Sequence, residues 1–159
     1  MVKQKKSIDE VELDVLNHLR NINKAGDGDP WQRRAIDFFQ KSILILKEIK
    51  DVDISFVTLR NVTSIDSFVK FAYDEFNGDS KIQIGGEIID RKDINISEDS
   101  KQEIRSYLEN SPHFDYNDAI NGHISQECYK LEGFLSMQIE AAIIEVYQKN
   151  NIQINTTLE

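Results

Sequence analysis

Apolar residues recur along this chain at helical spacing in most of its length. Ile8, Val11, Val15, Leu19 and Ile22 lie three or four apart and predict an amphipathic helix over about 8–23. Ser7 and Glu10 stand at the spacing of a capping box at its start. The glycines of AGDGDP, 25–30, end it, and Asp29-Pro30 opens a second helix with Asp as cap and Pro at the first position, where no amide bond is lost. That helix, about 30–50, carries Trp31, Ile36, Phe38, Phe39 and Ile43 to Leu46 and is apolar nearly all round, which predicts a central place in the core and a helical hairpin with the first.

The pattern then changes. Asp53 to Leu59, DISFVTL, is short and rich in β-branched and aromatic residues, as a strand would be. Ile65, Phe68, Ala72 and Phe76 return to one helical face over 64–76, closed by Asn77-Gly78. KIQI-GG-EIID, 81–90, reads as a hairpin with a two-residue turn. Ser97 or Ser100 can cap a helix to about Glu109, stopped by Ser111-Pro112. Ile124, Cys128, Leu131, Leu135, Ile139, Ala142 and Val146 pace a long last helix that tolerates Gly133. The expected fold is therefore α+β and predominantly helical, with about five helices and a small antiparallel sheet from strands near 53–59, 81–84 and 87–90. A single compact domain over 1–157 is expected, with Leu158-Glu159 set aside as a cloning scar.

Charge narrows the possible partners. Of 159 residues, 19 are Lys or Arg and 28 Asp or Glu, a net charge of −9. Residues 1–50 hold ten cations against eight acids, whereas 51–159 hold nine against twenty. Between Asp93 and Glu127 eight carboxylates face only Lys101 and Arg105. Such a surface repels phosphate backbones and anionic lipid and attracts basic proteins. Arg33-Arg34 and Lys3, Lys5 and Lys6 are the only dense basic spots and read as surface decoration. One cysteine excludes an internal disulfide framework, and no apolar run nears the ~18 residues of a membrane span, so a cytoplasmic protein is expected.

The densest chemistry is SPHFDYNDAINGHISQEC, 111–128, with His113, Asp115, Asp118, His123, Glu127 and Cys128. A helix beginning at Ile124 would set His123 and Glu127 on one side of its first turn, with Cys128 on the apolar face. No H-E-x-x-H or C-x-x-C spacing accompanies them, and Asp115 suits the cap of a turn at 116–120. This is a polar loop feeding a helix. Ile84-Gly85-Gly86-Glu87 lacks the remainder of a phosphate-binding motif and is a hairpin turn. Asp93 to Asp99 begins like a calcium loop, but Glu98 occupies the turn glycine's place and Ile104 that of the bidentate acid. His18 is a boundary residue, and Trp31, Phe38 and Phe39 are assigned to the core.

The expected function is that of an acidic binding or inhibitor protein, not an enzyme, that neutralises a basic partner by charge complementarity. Immunity proteins against nuclease toxins work by this logic, an analogy of physics and not of motif. The contact surface would be Asp93, Glu98, Asp99, Glu103, Glu109, Asp115 and Asp118, anchored by Tyr107, Phe114 and Tyr116. No cofactor, nucleic acid or membrane is expected. The alternatives are a metal-dependent or thiol enzyme centred on 113–128, and a homo-oligomeric subunit packing through Phe134, Met137, Ile143 and Ile144 of the last helix.

Overall fold

The structure, a computed structural model, describes residues 8–22, 30–49, 56–76 and 78–149. Among these are seven α-helices, α1 (Ile8–Ile22), α2 (Pro30–Lys47), α3 (Phe56–Val62), α4 (Ile65–Tyr73), α5 (Glu98–Glu109), α6 (Tyr116–Ile120) and α7 (Gln126–Lys149). One hairpin, β1 (Lys81–Ile84) and β2 (Glu87–Asp90), and a 3-10 turn at Arg91–Asp93 separate α4 from α5. The fold is predominantly helical α+β. The proposed caps Ser7 and Asp29 and the loop 25–29 lie outside the described residues.

α1 and α2 form the expected antiparallel hairpin. Val11, Val15, Leu16 and Leu19 bury one stripe of α1. Gln32 at the start of α2 donates to the carbonyls of Leu19 (2.9 Å) and Arg20 (2.8 Å), satisfying acceptors that the end of α1 leaves open. At the other end Lys47 pairs with Asp9 and Glu12. α2 is central, packing on α1, α3, α5 and α7. Its Phe38 meets Phe68 of α4 edge-on at 4.9 Å and stacks on Tyr107 of α5 at 5.1 Å, so three helices share one aromatic cluster.

The strand expected at 53–59 is overturned where it is described: residues 56–62 are α3. Thr58, Leu59 and Val62 are buried at helical spacing, Leu59 accepts the Thr63 hydroxyl, and α3 packs between α2 and α7. Burial on both neighbours outweighs the β preference of Val and Thr. The sheet is accordingly two-stranded, with Lys81↔Asp90 to Ile84↔Glu87 in antiparallel register.

Two assignments to the interior or surface are also corrected. Trp31 is 48% exposed, because it lies on the first turn of α2 before that helix enters the core. Arg34 is no surface decoration; it reaches inward to a carboxylate on α7. The last helix begins at Gln126, not Ile124: Ser125 accepts the Cys128 amide at 3.1 Å and caps it. Among the described residues no helix is long and apolar enough to cross a membrane.

Candidate functional site

α5 begins at a doubly built cap. The Ser97 hydroxyl accepts the Ser100 amide at 3.2 Å, and Glu48 of the α2 end accepts from the Ser97 amide (2.9 Å) and hydroxyl (3.3 Å). Burial works against the Glu48 charge, but the serine donors outweigh it and hold its carboxyl below the usual range. Ile104, Tyr107 and Leu108 turn inward, so Asp99, Glu103 and Glu109 fall on the solvent side.

Both cations of the acidic segment are engaged, Lys101 outside it and Arg105 partly within it. Lys101 pairs with Asp74 at 2.7 Å, and Arg105 pairs with Glu98 at 2.7 Å and donates to the Ala72 carbonyl at 2.9 Å. Glu98 stays exposed, with its charge answered by Arg105 of the same helix. Glu103 has only a distant pairing with Lys41, 3.8 Å. Asp93, Asp99, Asp118 and Glu127 make no ion pair among the described residues.

The chain then turns at Ser111-Pro112-His113, where His113 has a positive φ of 67°. Asp115 caps α6 by accepting the Asp118 amide at 3.0 Å. Tyr116, exposed, tilts its ring against Tyr73 at 4.7 Å, and the Arg105 guanidinium lies 5.4 Å from that same Tyr73 ring. Tyr116 of α6 and Arg105 of α5 thus meet at one ring of α4. The Tyr73 hydroxyl is pushed up to about 12 by burial and by the Glu109 charge. Asp99, Glu103, Glu109, Asp118 and Tyr116 are therefore all displayed, Phe114 is half-buried, and Tyr107 is removed from the surface: at 2% exposure it anchors the core and not a partner.

The cluster at 113–128 does not converge. His113 and His123 are exposed in separate turns while Cys128 is fully buried. Among the described residues no three His, Cys, Asp or Glu side chains could hold one metal ion. Burial and the nearby Glu132 charge push the Cys128 thiol up, the opposite of what a nucleophilic thiolate needs.

Glu132 is the buried acid that sequence reasoning missed. It is 1% exposed on α7, and its Oε1 accepts the Tyr107 hydroxyl at 2.5 Å. Its Oε2 accepts the Ser111 hydroxyl at 2.8 Å and Arg34 at 3.2 and 3.4 Å. Arg34 also lies 4.3 Å from the Tyr107 ring centroid. Burial first, then the Glu132 charge, keeps the Tyr107 hydroxyl protonated far into alkali. The network ties α2, α5 and α7 together with every hydrogen-bonding atom of the acid used. Leu131 and Leu135 frame Glu132 in sequence, and the only signal was that an acid one step from Leu131 falls on the edge of the buried stripe.

No family model matches the chain, and neither a curated protein nor a solved structure matches it.

Proposed function

We propose that the protein binds a basic protein partner through the outer face of α5, the turn that follows it and α6, and neutralises that partner by charge complementarity, as immunity proteins do with nuclease toxins. One observation carries the reading. Lys101 and Arg105, the only cations of the 93–127 segment, are committed to Asp74, Glu98 and the Ala72 carbonyl, which leaves Asp99, Glu103 and Glu109 outward on one helix with no close ion pair, Glu103 only 3.8 Å from Lys41 and Glu109 beside the Tyr73 hydroxyl. Glu109 adds to it. It stands in the last turn of α5, which has no basic residue, and a carboxylate there opposes the helix dipole. An acid retained at a local cost is what a contact surface requires. Tyr116 supplies the exposed aromatic group beside these charges. The partner is a cytoplasmic basic protein or toxin domain, and the protein itself acts by occlusion and not by catalysis.

The test is capture at low salt with elution by rising salt. One basic protein released in near-stoichiometric amount, and no longer captured by the Asp99→Lys, Glu103→Lys, Glu109→Lys variant with unchanged far-ultraviolet circular dichroism, supports the reading. Equal capture by the variant, or an empty eluate from the wild type, overturns it.

A further inference from the structure

We infer that the outer face of α7 is the contact surface of a homodimer in which two α7 helices pack antiparallel about a two-fold axis. α7 buries Cys128, Leu135, Ile139, Ala142, Ile143 and Val146 against α1, α2 and α3. Its opposite face carries Lys130, Phe134, Met137, Ala141 and Glu145, spaced four, three, four and four apart, and all five are exposed. Phe134 is 52% and Met137 70% exposed. Trp31 of α2 extends the apolar patch, its ring centroid 6.0 Å from that of Phe134 in an edge-to-face arrangement. Three large apolar groups in one exposed patch are the composition of an interface centre, where Phe, Met and Trp are enriched. Ile143, expected on this face, is buried, and Ile144 is partly buried, so neither takes part.

The occupant follows from the order of charges. Four of its residues pair symmetrically about the point between Met137 and Gln138, Lys130 with Glu145 and Phe134 with Ala141. A two-fold axis there sets Lys130 against Glu145 of the second copy, Phe134 against its Ala141, and Met137 against its Gln138, each twice. Phe134 thus meets a small side chain, and the exposed Gly133 beside it adds no bulk to the approach. Neither Lys130 nor Glu145 has an ion partner among the described residues. Parallel packing would oppose Lys130 to Lys130 and Glu145 to Glu145, so charge selects the antiparallel arrangement. One helix pair is smaller than a standard interface, which places the dimer in the weak, concentration-dependent class. No residue of α5 or α6 is used, so this inference stands apart from the proposed acidic contact surface.

Sedimentation equilibrium across micromolar to near-millimolar protein tests it, with Trp31, the only tryptophan, as a fluorescence reporter of burial. The mass is expected to rise from 18.4 kDa toward twice that, with a blue shift of the emission. Phe134→Glu or Met137→Glu, both exposed and so harmless to the core, should leave a monomer with wild-type circular dichroism. Lys130→Glu alone should weaken the dimer about tenfold by opposing two acids, and Lys130→Glu with Glu145→Lys should restore it. A wild type that stays monomeric throughout, or a double exchange no tighter than the single one, overturns the proposal.

Discussion

Glu132 shows how much a single buried residue can decide. Its carboxylate is the common acceptor for Arg34, Tyr107 and Ser111, and removing it leaves a guanidinium and two hydroxyls without their partner in a site that is 1% exposed. Glu132→Ala should therefore cost about 3–5 kcal/mol, read as a fall in the urea midpoint, whereas Glu132→Gln keeps an acceptor and costs less. Cys128, one turn earlier, responds to alkali. Its folded thiol ionises above the ordinary value of 9.0, so the stability it contributes is complete below that value and is lost as pH rises from there through the higher folded value, because the unfolded chain gives up its proton first. Stability should decline above about pH 9, and Cys128→Ala should make the decline shallower. The burial of Cys128 was legible in the sequence, because position 128 continues the spacing of Leu131 and Leu135. The role of Glu132 was not. Its three partners come from α2, α5 and the turn after α5, and no local spacing encodes a contact between residues as far apart as Arg34 and Glu132.

At the level of elements, the signals that worked were local ones. Two-residue turn chemistry placed the hairpin at 81–90 in its observed register, Ser97 and Asp115 cap the helices that follow them, and α1, α2, α4 and α5 occupy the spans their apolar spacing predicted. α3 failed because seven residues are too few for periodicity to outweigh composition: Val57 and Thr58 favour a strand, and only the neighbours α2 and α7 make Leu59 and Val62 a buried helical face. α3 in turn explains the first of the hairpin glycines. Gly85 has a φ of +63°, and a Cβ there would lie 3.0 Å from Thr58 Cγ2 and 3.2 Å from the Thr58 amide nitrogen, whereas one at Gly86 would meet nothing within 4 Å. Gly85→Ala should cost about 1–3 kcal/mol through strain and the contact with α3, and Gly86→Ala much less. Equal losses in thermal denaturation would mean that the turn, and not its seat on α3, sets the requirement.

The whole molecule carries a net charge of −9 that its ion pairs do not distribute evenly, and folding and binding should therefore respond to salt with opposite sign. Lys47, Lys81, Lys101 and Arg105 are each paired with acids, so the excess resides in exposed carboxylates such as Asp93, Asp99, Asp118 and Glu127, which make no ion pair among the described residues. At about 0.01 M salt the Debye length is about 30 Å, comparable to a small domain, and these charges repel across much of the surface; at 0.15 M it is about 8 Å. Screening relieves the repulsion in the folded state, so the melting temperature should rise between those two conditions. The same screening should weaken capture of a basic partner, whose attraction comes from that excess. The Asp99→Asn, Glu103→Gln, Glu109→Gln variant separates the two effects: its melting temperature should depend less on salt than that of the wild type, and its capture should be weak at both salt concentrations. A melting temperature that falls with salt would show instead that the ion pairs dominate the electrostatics of the fold. The acidic face of α5 would then be no more than a solvated surface, balanced by the cations packed beneath it.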